Sequence, residues 1–126
     1  MKKILIVEDE KVLADMYREK FVQAEFEVVV AYDAEGGLAL AKKEKPDIIL
    51  LDILLPKANG IFLLEKLKKI PSCSSIAVVA FSNYDDPDMK KKAYQLGAKA
   101  YLLKTSYTPE EIVNKVKEYL NEEDSE

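Results

Sequence analysis

Any chemistry this chain performs must run on carboxylates, hydroxyls and lysines, because it contains no histidine and a single cysteine, Cys73. Without histidine there is no Ser-His or Cys-His nucleophile pair, and one thiol cannot build a structural zinc site. The residues that could act stand at the ends of short apolar runs. Glu8-Asp9-Glu10 follows the first, Asp52 the third, Ser82 the fourth and Lys104 the fifth. If those runs are neighbouring strands, Glu8, Asp9 and Asp52 enter one crevice. Two like charges about 4 Å apart cost on the order of 1 kcal/mol in water and about 4 kcal/mol at an effective dielectric of 20. Three converging carboxylates therefore hold either a proton or a cation. Oxygen-only ligation that leaves places for water and phosphate oxygens suits Mg²⁺. A hydroxyl at Ser82 and an ammonium at Lys104 then complete a phosphoryl-transfer site, with Asp52 as the nucleophile. The plainer reading, helix caps and solvated surface, fits any one of these residues better than it fits them all together.

The elements that must position these groups are legible. Strands are expected over 3–7, 28–31, 47–51, 76–81 and 99–103, each rich in consecutive apolar residues, as in a parallel sheet buried on both faces. The second has acidic flanks and reads as an edge. Between them lie amphipathic helices. The first carries an apolar face of Val12, Leu13, Met16 and Tyr17, and the next starts at Asp33 and stops before Pro46. The third follows Asn59-Gly60, presents Leu63, Leu64, Leu67 and Ile70, and halts at Pro71. The fourth opens on Asp86-Pro87 and ends at Gly97. The last has a capping box of Thr108 and Glu111, Pro109 in its first turn, and a stripe of Ile112, Val113, Val116 and Leu120. Five βα units predict an α/β fold, a doubly wound five-stranded parallel sheet. In the flavodoxin-like order 2-1-3-4-5, ligands sit beyond the C-terminal ends of the first and third strands, where strand order reverses.

The 126 residues suit one domain over 1–121, followed by a polar tail at 122–126 expected to fray. The formal charge is −4 and Arg18 is the only arginine, so direct nucleic-acid binding is not expected. The apolar run before Glu8 is too short for a signal peptide or a membrane span, and the lone cysteine fits a reducing compartment, so the protein is expected in the cytoplasm, off the membrane. Cys73 reads as an inert thiol, Lys90-Lys91-Lys92 as a solvated helix face, and Tyr107 and Tyr119 as packing or rim residues.

Taken together, Ile4 to Asp9, Leu50-Leu51-Asp52-Ile53-Leu54-Leu55-Pro56 with Gly60, Ser82, and Tyr101-Leu102-Leu103-Lys104 resemble the receiver domain of two-component response regulators over essentially the whole chain. The resemblance implies that Asp52 accepts a phosphoryl group and that Glu8 and Asp9 hold Mg²⁺, Asp9 directly and Glu8 through water. It also implies that the Leu54 carbonyl is a metal ligand, that Ser82 and Lys104 bind the phosphoryl group, and that Tyr101 is the switch aromatic. If Ser82 swings toward the phosphate it vacates space beneath the fourth helix, so Tyr101 is expected mostly outward before phosphorylation and mostly inward after. The donor is then a histidine kinase or histidine phosphotransfer partner, and the output is a changed surface on the fourth helix, fifth strand and fifth helix, read by a downstream protein. Such a chain is not a turnover enzyme, since it modifies and slowly dephosphorylates only itself. One departure stands out. Thr105 follows Lys104 where the family usually has proline, often in a cis bond, so the loop to Tyr107 is expected to run differently.

The main alternative is a protein-binding scaffold on the same fold that no longer uses phosphate. The intact Glu8, Asp9, Asp52, Ser82 and Lys104 speak against it. A flavin carrier would need a Ser/Thr/Gly loop where Glu8-Asp9-Glu10 stands. A phosphatase of the haloacid dehalogenase type would want an aspartate where Leu54 stands.

Overall fold

The computed structural model describes residues 1–55 and 59–124, without the side chains of residues 122–124. Five strands, β1 (Lys3–Val7), β2 (Glu27–Ala31), β3 (Ile48–Asp52), β4 (Ala77–Ser82) and β5 (Ala100–Leu103), form one parallel sheet in the order β2-β1-β3-β4-β5. The helices are α1 (Lys11–Gln23), α2 (Ala34–Glu44), α3 (Gly60–Lys69), α4 (Pro87–Gln95) and α5 (Pro109–Asp124), with a 3₁₀ turn at Lys104–Ser106. Topology, strand order and fold class are those expected from the sequence. The second strand is indeed an edge.

Side chains alternate across each strand, which divides the core into two layers. Leu5, Val7, Ile49, Leu51, Val78 and Ala80 face α2, α3 and α4. Ile4, Ile6, Ile48, Leu50, Val79 and Phe81 face α1 and α5. Both faces are covered, which is why the central strands carry apolar residues at successive positions.

Helix ends follow the residues that cap them. The Asp33 carboxylate accepts from the Gly36 amide, Asn59 from Phe62, and Asp86 from both Asp88 and Met89. Thr108 Oγ1 accepts from the Glu111 amide while Glu111 Oε1 accepts from the Thr108 amide, the reciprocal box that the sequence predicts. Lys45, before Pro46, leaves the helical region into the left-handed one at φ 46°, and Gly97 ends α4 at φ 91°. Tyr107 and Tyr119 pack against the α1/α5 layer.

Two expectations need revision. Val12 does not share the buried face of α1, since it is 85% exposed while Ala14, Tyr17 and Phe21 form the stripe. At 100° per residue Val12 lies well over 90° from Ala14 and Tyr17, and only Leu13 and Met16 flank the stripe. The strand bounds also shift by one residue, so that Asp52 and Ser82 are the last residues of β3 and β4 rather than the first beyond them. Of the polar tail, the backbone through Asp124 continues α5. Ser125 and Glu126 lie outside the described residues, as does Pro56 of the motif.

Gly60 has a reason in close approach rather than backbone angle. A Cβ there would stand 2.6 Å from the Asp52 carbonyl oxygen and 2.8 Å from Ile53 Cα, both backbone atoms, while the Gly60 amide donates to Ile53 O at 2.7 Å. The first residue of α3 is thus pressed against the segment that carries Asp52. Gly60→Ala is expected to cost about 1–3 kcal/mol, read as a lowered urea midpoint. An unchanged midpoint would show that the segment after Asp52 yields freely.

Candidate functional site

β1 and β3 pair directly, with Val7 opposite Leu51, so Glu8 and Asp52 emerge side by side at the C-terminal edge of the sheet. Asp9 follows on the exposed side. Oxygens of Glu8, Asp9 and Asp52 all lie within 4.8 Å of one another. Glu8 is fully buried and Asp52 is 4% exposed.

Lys104 reaches into this group from β5. Its Nζ donates to Glu8 Oε1 at 2.6 Å and to Asp52 Oδ2 at 3.1 Å. The remaining oxygen of each carboxylate accepts a backbone N–H, Glu8 Oε2 from Glu10 at 3.2 Å and Asp52 Oδ1 from Leu54 at 3.0 Å. The ammonium also lies over the Phe81 ring, 4.6 Å from its centroid, and Phe81 meets Tyr17 edge-on with centroids 5.5 Å apart.

Electrostatics follow from the crowding. Burial pushes the Glu8 carboxyl up to about 7, opposed by the hydrogen bond and charge of Lys104 and reinforced by the charge of Asp52. Burial alone would lower Lys104, but its hydrogen bond to Glu8 and the charges of Asp52 and Glu8 outweigh that and hold it above its ordinary value. Tyr17 is pushed up to about 12, by burial first and then by the negative charges of Glu8 and Asp52. A site with two buried carboxylates, a third at its mouth and one ammonium is short of positive charge, and its donor set is all oxygen. That chemistry fits a hard divalent cation.

Ser82 ends β4 one residue after Phe81, which is the register partner of Asp52. The Ser82 Oγ accepts from the Tyr84 amide at 3.1 Å, which leaves its own O–H free to donate. Leu54 and Tyr84 present exposed side chains at this end of the sheet. Tyr101 does not take the outward position expected of it. Its ring is buried among the α2–α4 layer and its hydroxyl donates to the Tyr84 carbonyl at 3.1 Å, so both its apolar body and its polar tip are satisfied inside. The Lys104–Ser106 turn occupies the place of the usual proline, and among the described residues no peptide bond is cis.

Sequence reasoning did not find Phe81, Tyr17 or Tyr94. Phe81 and Tyr17 read as core, and nothing in their spacing marks the cation above the ring. Tyr94 accepts from the outward amide of Tyr101 at 3.2 Å, closing part of the β5 edge. Cys73 is buried, and Lys90, Lys91 and Lys92 are exposed.

The response regulator receiver domain family matches residues 4–117. The chain is 33% identical over 119 residues to the alkaline phosphatase synthesis transcriptional regulatory protein PhoP of Bacillus subtilis, covering 94% of this chain and 48% of that one. It is 32% identical over 118 residues to sporulation initiation phosphotransferase F of the same organism, covering 94% and 93%. The chain spans about half the length of PhoP and of other curated relatives that it matches. A CheY-like receiver domain crystal structure from Methanospirillum hungatei JF-1 superposes with a TM-score of 0.92 at 30% identity, over 99% of this chain and 98% of that one. The family match begins in β1 and ends in α5, spanning every element that carries a residue of the rim, and the chain belongs to the response regulator receiver domain family.

Proposed function

We propose that this receiver takes a phosphoryl group onto Asp52 from the phosphohistidine of a histidine kinase or phosphotransfer protein and transmits the change through α4, β5 and α5. The observation that carries this reading is the Asp52 carboxylate held by Lys104 inside a cluster of three acidic groups. An Asp52 oxygen forms the new P–O bond as the P–N bond to the donor imidazole breaks. Lys104 already touches Asp52 Oδ2 and is placed to follow the negative charge onto a phosphoryl oxygen, and the free O–H of Ser82 donates to another. Glu8, Asp9, Asp52 and the Leu54 carbonyl are the residues that would hold Mg²⁺, which supplies positive charge to the phosphoryl oxygens when bound.

Output rests on the backbone of one residue, Tyr84. The Tyr84 amide donates to Ser82 and its carbonyl accepts from Tyr101. Movement of the Ser82 hydroxyl toward a phosphoryl oxygen frees the Tyr84 amide and so disturbs the acceptor of Tyr101 on β5.

Acetyl phosphate with Mg²⁺ is expected to add one phosphoryl mass, and Asp52→Asn or a chelator to suppress it. Equal labelling of wild type and Asp52→Asn in acid-quenched intact mass spectra would remove Asp52 from this role.

The raised Glu8 sets a pH dependence. Between the ordinary value of 4.5 and about 7 the folded chain keeps a proton that the unfolded chain has lost, so stability falls as pH rises through that window. Mg²⁺ competes with this proton. Its addition should raise the thermal midpoint by a few degrees at about pH 8 and by less at about pH 5. A gain independent of pH would separate the cation from Glu8.

The exposed Leu54 side chain, two residues after the nucleophile, has no group to orient water, and Tyr84 presents an aromatic face that can shield the phosphoryl group. Slow self-dephosphorylation follows, with a severalfold acceleration in Leu54→Asn. An unchanged phosphate release rate in that variant would show that the lifetime is set elsewhere.

A further inference from the structure

β4 lies between β5, which leads into Lys104, and β3, which carries Asp52. Adjacent strands are about 4.8 Å apart, so the lysine and the carboxylates reaching toward it together bridge two strand spacings at Asp52 and three at Glu8. The β4 residue on that path is Phe81. It is the register partner of Asp52 on one side and of Leu102 on the other, it is fully buried, and its ring lies 4.6 Å from the Lys104 nitrogen. Tyr17 holds the ring edge-on at 72°.

We propose that Phe81 is a positioning residue for phosphoryl transfer, its ring face holding the Lys104 ammonium between Asp52 and Glu8. The inference rests on the phosphoacceptor reading above and deepens it. An ammonium has three donors, and two are committed to Glu8 and Asp52. An aromatic face attracts the cation without offering a lone pair, and it does so most strongly where water is excluded, as here, with Lys104 side-chain exposure at 7%. Nζ can therefore pass from the carboxylate oxygen to a phosphoryl oxygen while the ring keeps it in place. An oxygen acceptor at position 81 would compete for the same proton, and an aliphatic side chain would leave the ammonium tethered only by the groups whose charges change during the reaction.

Ring electrostatics can be varied at nearly constant shape by placing mono-, di- and trifluorinated phenylalanine at position 81 in the full chain. Fluorine withdraws density from the ring face, so labelling of Asp52 by acetyl phosphate should slow stepwise across the series, reaching about tenfold at the trifluorinated ring, with thermal midpoints little changed. Phe81→Leu should be at least as slow. A flat series alongside a slow Phe81→Leu assigns Phe81 to packing alone and overturns the inference while leaving Asp52 as acceptor. Absence of Asp52 labelling in the wild type overturns the phosphoacceptor reading and this inference with it.

Discussion

The rim of this molecule depends on one ammonium placed between two buried carboxylates. Leaving Glu8 or Asp52 desolvated without a partner would cost several kcal/mol, a large share of the stability of a marginally stable domain. Lys104 meets both, at 2.6 and 3.1 Å, and each carboxylate places its other oxygen on a backbone amide. The pairing joins residues 96 and 52 positions apart in sequence, so it exists only when β1, β3 and β5 are assembled in one order. It still leaves the site short of positive charge, because two carboxylates face one cation and Asp9 stands at the opening. Burial is the first cause of the raised Glu8, and the charge of Asp52 adds to it against the pull of Lys104. On the proposed reading a proton would fill that deficit in acid and Mg²⁺ near neutrality.

Much of this was legible before any coordinates. Consecutive apolar runs without polar interruption mark strands covered on both faces, and caps such as Asp33, Asn59, Asp86 and Thr108 mark where helices begin. Strand-end positions placed Glu8, Asp9, Asp52, Ser82 and Lys104 together because a parallel doubly wound sheet sends all strand ends to one edge. What failed were features decided by rotation and three-dimensional proximity. Val12 reads as part of an apolar face because Leu13 follows it and Met16 stands four residues on, yet the stripe of α1 turns away from it. Tyr101 looked like a residue waiting outside, but a carbonyl four residues beyond Ala80 and an apolar layer satisfy it within. Phe81 was counted as core, which it is, and its second role depends on what lies above the ring.

Neighbouring residues of β4 serve opposite faces of the sheet. Phe81 belongs to the layer under α1 and α5, while Ser82, one residue on, connects through the Tyr84 peptide to Tyr101 in the layer under α2, α3 and α4. Strand alternation makes this division unavoidable. It means that Phe81, under the lysine, and Ser82, the proposed phosphoryl contact, share a backbone but not a packing environment. The ring is locked by Tyr17 and full burial, so the cation has a fixed seat. The hydroxyl accepts one hydrogen bond from the Tyr84 amide of an exposed segment, so it can move at little cost. On the proposed phosphoacceptor reading, a rigid charge site and a yielding hydroxyl one residue apart would let chemistry at Asp52 alter the β5 side of the molecule without loosening Lys104.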